Sequence, residues 1–298
     1  MNEYLGTRLA SKLKGLLLAV LWLGAFAAQA EPGAALREKY AALKQPLQHN
    51  VFKQPLVLSS AETPNGMKGD IYAVVEYPFS VVNEGLNDPT HWCDVMILHI
   101  NTKYCHAIKG PTGTRLRVYI GKKTPELLAH VSRLELTYRT TAATPDYFET
   151  DLRAEEGPLG TSNYRISLEA VALPNDTTFL HLTYSYDANL VGRLAAQTYL
   201  ATLGRDKVGF TQMSQRAGGQ PDYIGGVRGV VERNTMRYYL AMHSFLEFVH
   251  AAPAERFEKR LQSWFTAVER YPRQLHESDR TDYLEMKRAE YSRQQTLY

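Results

Sequence analysis

Between residues 69 and 186, apolar and polar side chains alternate with period two in one segment after another, the pattern of strands with one greasy and one polar face. The segments are 71–77; 98–107, with Leu98, Ile100, Thr102 and Tyr104 on one side; 116–120, where Leu116, Val118 and Ile120 alternate with Arg117 and Tyr119; 134–138; 148–152; 164–170; and 179–186. Pro174-Asn175-Asp176 joins the last two as a hairpin turn. Such strands predict an antiparallel sheet that needs cover on one face only.

On either side of these strands the period lengthens to that of helices. Residues 31–44 read as a helix, with Leu36, Tyr40 and Leu43 behind Pro32, and residues 59–68 as a loop rich in Pro, Ser and Asn. Phe79, Val82 and Leu86 mark a short helix that Asp88-Pro89 ends, before a second short turn through Trp92 and Val95. Residues 189–203 carry Leu190, Leu194, Gln197, Leu200 and Leu203; a loop with Gly218, Gly219, Gln220 and Pro221 follows. The segment 225–249 then holds an apolar stripe of Val227, Val231, Tyr238, Met242, Phe245 and Val249, the natural lid for the sheet. A further helix starts behind Pro253 with Phe257, Leu261, Trp264, Phe265 and Val268 on one face. Past Pro272 the tail reads as helical and partly frayed.

The N-terminus changes the picture of where this domain works. Arg8, Lys12 and Lys14 precede an apolar run of about 13 residues, too short for the roughly 20 of a spanning helix, and Ala28-Gln29-Ala30 fits a cleavage site. Residues 1–30 are therefore expected to be a cleavable signal peptide, and the mature chain to be periplasmic or secreted. Removing the leader takes those three cations and Glu3 from 34 basic and 31 acidic residues, so the mature chain is nearly neutral and nothing calls for a nucleic-acid partner. The two cysteines, Cys93 and Cys105, are expected to pair in an oxidising compartment. A metal site with the neighbouring His91, His99 and His106 is the alternative, but the spacing matches no zinc pattern.

The order of strand, two short helices, six further antiparallel strands and long helix resembles the START-like or helix-grip superfamily of lipid-transfer domains and polyketide cyclases, here as an exported bacterial-type member. Residues 69–79 (GDIYAVVEYPF), the helix running to Asn87-Asp88-Pro89, and residues 157–187 with the closing helix carry the likeness, which covers 69–249. It implies an α+β fold: a curved seven-stranded antiparallel sheet gripping a long C-terminal helix around an apolar cavity, with extra C-terminal helices. The expected organisation is a signal peptide over 1–30, a helical arm and loop over 31–68, the helix-grip domain over 69–250 and a helical extension over 251–298.

A nucleophile elbow, a zinc-protease motif, a phosphate loop and a dinucleotide fingerprint are all missing from the sequence, and no cofactor or metal is expected. The residues expected to meet a ligand are Trp92, Arg117, Tyr138, Tyr164 and His181, with Tyr238 and Met242 from the long helix. His181 is the one candidate acid or base; its bland alternative is a histidine bonded to a neighbouring strand. Arg117, Arg139 and Glu149 are explained more cheaply as outer-face ion pairs, and large aromatics on apolar faces as core. Arg228, Glu232, Arg233 and Arg237, and likewise Arg256, Glu258, Lys259 and Arg260, read as solvated helix faces.

The preferred function is a carrier or sensor for an apolar small molecule or lipid, with transient contact to a membrane surface. A cyclase- or hydrolase-type enzyme using His181 is the second reading. The third is an envelope interaction protein with a filled core, favoured if no cavity exceeds roughly 300 Å³.

Overall fold

Alternation in the middle of the chain builds one antiparallel sheet in the computed structural model, which describes residues 31–202, 204–215 and 219–296. The expected leader over 1–30 lies outside the described residues, as do Leu203 and Gly218. The strands are β1 (Leu56–Glu62), β2 (Gly66–Val75), β3 (Thr102–Gly110), β4 (Gly113–Ile120), β5 (Ser132–Thr144), β6 (Tyr147–Glu156), β7 (Thr161–Leu173) and β8 (Thr177–Ala188), in the spatial order 1-2-8-7-6-5-4-3. From β2 the chain crosses the sheet through α2 (Phe79–Leu86) and α3 (Trp92–Met96), then returns strand by strand to pair β8 with β2. Asn175 and Asp176 take positive φ in the β7–β8 hairpin, as a primed turn requires.

The sheet has eight strands where alternation predicts seven. β1 occupies part of the expected loop at 59–68, and it was invisible because it is an edge strand: Leu56 is buried while Ser59, Ala61 and Glu62 are exposed. The expected strand at 98–107 starts only at Thr102. Residues 97–101 are a tight turn instead, closed by the His99 N–H on the Met96 carbonyl at 3.0 Å and the Thr102 N–H on the His99 carbonyl at 2.9 Å.

The stripe of the long helix packs into the sheet as expected. That helix, α5 (Gly226–Glu247), brings Val231, Tyr238, Met242 and Phe245 against the inner residues Ile71, Leu168, Leu182 and Leu116 in one core. Helix and sheet come close at Gly69, where a Cβ would stand 2.3 Å from the Thr235 hydroxyl, so a larger residue fits only if the Thr235 side chain shifts. The sheet thus grips a C-terminal helix, the arrangement implied by the START-like resemblance.

Both outer flanks are also covered. On the convex face α1 (Ala34–Gln48) lays Leu36, Tyr40, Leu43 and Leu47 on Tyr147, Val171 and Phe179. Beyond α5 lie α6 (Pro253–Val268), α7 (Pro272–Leu275) and α8 (Arg280–Thr296). The tail expected to fray is in fact α8, whose Tyr283, Lys287 and Glu290 are buried. Tyr283 stacks on Trp264 of α6 at 4.9 Å, and the Glu290 carboxylate accepts from both Lys103 (3.0 Å) and Lys287 (2.8 Å).

Cys93 of α3 and Cys105 of β3 are joined by a disulfide, with Cα atoms 5.2 Å apart. It fastens the crossover to the sheet edge that begins the returning strands. Replacing both cysteines with alanine should lower the free energy of unfolding in urea by about 3 kcal/mol, the chain-entropy value for so short a loop, with the far-ultraviolet dichroism of the folded state unchanged. An unchanged urea midpoint would mean the bond constrains nothing.

Candidate functional site

Where α5 lifts away from the sheet it leaves a cavity of about 260 Å³. Strands β4, β5 and β7 furnish an apolar floor of Val118, Ile120, Leu134, Leu136 and Ile166. Their inward direction follows from the register: Val118 lies opposite Leu134 and Leu116 opposite Leu136, so the period-two stripe of each strand reaches the same face.

The opposite wall is polar. At about 100° per residue, Arg233, Asn234 and Arg237 fall on the flank of α5 beside Tyr238, and all four line the cavity. Tyrosines from three elements close it: Tyr164 and Tyr184 on the sheet and Tyr199 on α4 (Leu190–Ala201). Tyr238 packs on Tyr184 at 5.4 Å and stacks on the His99 ring at 4.8 Å.

His99 sits in the turn before β3, and α8 fixes that turn. Tyr283 donates to the Leu98 carbonyl at 2.7 Å, and Lys287 to the carbonyls of His99 and Thr102 at 2.8 and 2.6 Å. The ring is 4 % exposed. Burial, reinforced by Arg237 and the nearby lysines, holds its pKa well below the ordinary histidine value, so it is neutral. The Asn101 N–H donates to Nδ1 at 3.2 Å, which leaves the proton on Nε2. That Nε2 has no partner.

The cations of the wall share one acid among the described residues. Glu277 accepts from Arg237 at 2.6 Å and from Lys123 at 2.7 Å, with Lys207 at 3.5 Å. Its carboxyl is lowered: burial alone would raise it, and Arg237, Lys123 and Lys207 outweigh burial. Arg233, 1 % exposed, donates from one nitrogen to the Val208 carbonyl at 3.2 Å and has no carboxylate partner among the described residues. Arg237, 2 % exposed, keeps an unpartnered Nε.

Of the seven residues expected to meet ligand, Tyr164 and Tyr238 line this cavity. Trp92 is buried in the core with its indole N–H on the Leu86 carbonyl at 2.9 Å. Met242, about one turn beyond Tyr238, is core and outside the lining, and Tyr138, which donates to Asn87 at 3.2 Å, is outside it too. Arg117 is on the outer face in an ion pair with its cross-strand partner Glu135 at 3.1 Å.

His181 also faces outward, under α1 rather than into the cavity. Its Nε2 meets Asp70 at 2.8 Å and its Nδ1 meets Glu169 at 2.9 Å, while the ring stacks on Tyr72 at 4.1 Å. The solvated faces expected on α5 and α6 are corrected too. Glu232, Arg233 and Arg237 are buried, and so is Arg260, whose guanidinium lies 3.9 Å from the centre of the Phe245 ring and 2.9 Å from Asp94. They were missed because each is covered by a distant segment: Glu232 and Arg233 by residues 208–211, and Arg237 by Trp264 and Glu277 past Pro253.

These features define a helix-grip protein with a small cavity, apolar on the sheet side and cationic on the helix side. No family model matches the chain, and no curated protein matches it in sequence. Among solved structures it is similar to the Zhui aromatase/cyclase from Streptomyces sp. R1128, at 12% identity over 72% of this chain and 94% of that one, with a TM-score of 0.33. The human StAR-related lipid transfer protein 5 is similar at 10% identity over 57% of this chain and 89% of that one, TM-score 0.32. A START superfamily protein from Mycobacterium smegmatis follows at 14% identity, over 50% and 92%, TM-score 0.30. At these values the likenesses carry no chemistry across, and function has to be argued from the cavity itself.

The Asp70–His181–Glu169 cluster yields a pH signature. Burial would lower the His181 pKa, but hydrogen bonds to Asp70 and Glu169 raise it above 6.5. Glu169 is lowered from 4.5, chiefly by His181, and Asp70 from 3.8, where bonds from His181, Thr183 and Lys68 overcome burial. The raised histidine stabilises fully below 6.5 and less as pH rises through its folded value; the lowered carboxyls stabilise fully above 4.5 and less as pH falls. The stability difference between the native chain and His181→Gln should therefore be largest between 4.5 and 6.5 and shrink toward pH 8. Urea titrations at pH 5.5 and 8 that give equal differences would show that the cluster holds no extra charge.

Proposed function

We propose that the protein is an exported carrier or sensor that binds a small, mainly apolar molecule between the sheet and α5. The observation that carries this reading is a cavity with a five-residue aliphatic floor and a wall that holds Arg233, a buried guanidinium with no carboxylate partner among the described residues. A simple packing defect is apolar and dry, whereas a buried charge without a counter-ion calls for an occupant. The volume of about 260 Å³ falls short of the roughly 300 Å³ at which drug-sized pockets begin. By that criterion this volume favours the filled-core reading; the carrier reading is kept for the cationic groups of the lining, and its occupant is smaller than a complete membrane lipid.

The enzyme reading is not favoured, because its acid–base candidate His181 lies on the other face of the sheet. Export is supported by the leader pattern at 1–30 and by the Cys93–Cys105 bond, a linkage that persists in oxidising compartments. Contact with a lipid surface is supported by α4, which supplies Tyr199 to the cavity and turns Leu190, Val191 and Leu194 outward at 73, 60 and 53 % exposure. Leu159, 72 % exposed, stands next to Pro158 of the lining.

The neutral probe N-phenyl-1-naphthylamine should brighten on binding, and Val118→Phe, which fills the floor, should weaken it by at least about tenfold. Absence of uptake by the native chain, or uptake indifferent to Val118→Phe, would end the cavity-binding proposal. For loading, Leu190→Ser with Leu194→Ser should slow transfer of the probe from phosphatidylglycerol vesicles by several-fold and leave the final occupancy unchanged. Equal transfer rates would remove the membrane role and keep the cavity.

A further inference from the structure

The lining of the cavity contains Arg233, Arg237, Lys123 and His99, and no aspartate or glutamate among the described residues. The single carboxylate paired with this group among the described residues, Glu277, is outside the lining and is shared by Arg237, Lys123 and Lys207. Arg233 receives none of it. A buried guanidinium without a counter-ion is costly, and so is the unpartnered Arg237 Nε–H. The first of these costs falls at the lining of the cavity, where Arg233 meets the same space as the aliphatic floor. Lys123 reaches toward the same space from the loop after β4, with its Nζ 3.5 Å from the Tyr199 hydroxyl.

Hydrogen-bond capacity points the same way. His99 offers no acceptor to the cavity, since Nδ1 is taken by the Asn101 amide and its remaining nitrogen carries the proton. Arginine and lysine are donors only. The free polar capacity of these four side chains therefore consists of donors, which match a group made of acceptors. A carboxylate supplies two oxygens with several lone pairs, fits the planar fork of arginine, and cancels the excess charge. An alcohol, an amine or a neutral sterol-like hydroxyl does neither job.

Resting on the reading that the cavity holds a ligand, we propose that this ligand is a small amphipathic carboxylate. Its headgroup sits by Arg233 and Lys123 on the cationic wall, and its short apolar body lies on Val118, Leu134, Leu136 and Ile166. The size of the cavity sets the length of that body: a medium chain or a single substituted ring fits about 260 Å³, and a long-chain acid extends past the mouth beside α4.

The test compares two probes of equal length, octanoate and 1-octanol, as competitors of N-phenyl-1-naphthylamine on the full chain. Octanoate should bind at least about tenfold more tightly than 1-octanol, the value of one charge-assisted contact in a buried site. Acetate, which has the headgroup and no chain, should not compete in the same range. Arg233→Gln should remove most of the preference for octanoate and leave 1-octanol unchanged. Glu277→Gln, which removes the competing carboxylate, should raise octanoate affinity and leave 1-octanol unchanged. If Arg233→Gln does not fold, Glu277→Gln and Lys123→Gln still decide the matter, since the first should strengthen and the second weaken octanoate alone. Equal binding of the two probes, or variants that move both together, overturns the carboxylate assignment while leaving a cavity that binds apolar molecules. Failure of every probe to compete, including the naphthylamine itself, overturns the cavity reading instead.

Discussion

A helix buried on every side has no water to offer its charged side chains, and α5 carries Glu232, Arg233 and Arg237 into that position. Each must find its partners in the protein or keep an unmet demand. Glu232 finds a full set: the amides of Phe210 and Thr211 at 2.6 and 2.9 Å, and the hydroxyls of Thr211 and Ser60, both at 2.6 Å. In doing so it pins the segment between α4 and α5, which has little apolar surface of its own to bury, to the edge strand β1. Arg237 finds Glu277, and Arg233 finds one carbonyl. The unevenness of this satisfaction separates the structural charge from the two that shape a site.

The same constraint explains why the C-terminal helices belong to the fold rather than to an appendage. Without α6 and α8 the far side of α5 would be solvated: Trp264 donates to the Arg237 carbonyl at 3.3 Å, and the Arg260 guanidinium covers the Phe245 ring at 3.9 Å. α8 also holds the turn before β3 through Tyr283 and Lys287, so the position of His99 is set by residues nearly two hundred positions away. The disulfide anchors the other end of that short region, from α3 to β3. A histidine with an unpartnered nitrogen is held on both sides by rigid attachments, which is how a donor is kept in place when no ligand is there to orient it.

Much of the scaffold was legible because period-two and 3.6-residue patterns depend only on which face is buried. The seven returning and central strands, the stripe from Val231 to Phe245 and the cysteine bridge all followed from such patterns or from compartment chemistry. What escaped notice were elements whose burial is decided by a distant partner. β1 is an edge strand with polar residues, and β3 runs without alternation because α8 covers its outer side, burying Lys103 between Met286 and Glu290. The site was legible only at Tyr164 and Tyr238. Arg233 and Arg237, four residues apart, look like an ordinary wet helix face until the later helices are in place, and His99 looks like a strand residue until the turn at 97–101 is seen.

Charge and volume together select the kind of occupant more sharply than fold does. A helix-grip scaffold with a neutral wall would be satisfied by any apolar body, and its affinity would scale with the area covered. Here the sheet contributes that non-directional attraction, while the α5 flank contributes donors that are already desolvated and held in place. The proposed ligand, with an apolar body and an acceptor headgroup, would meet both sides at once, its body covering the floor and its oxygens accepting from the wall.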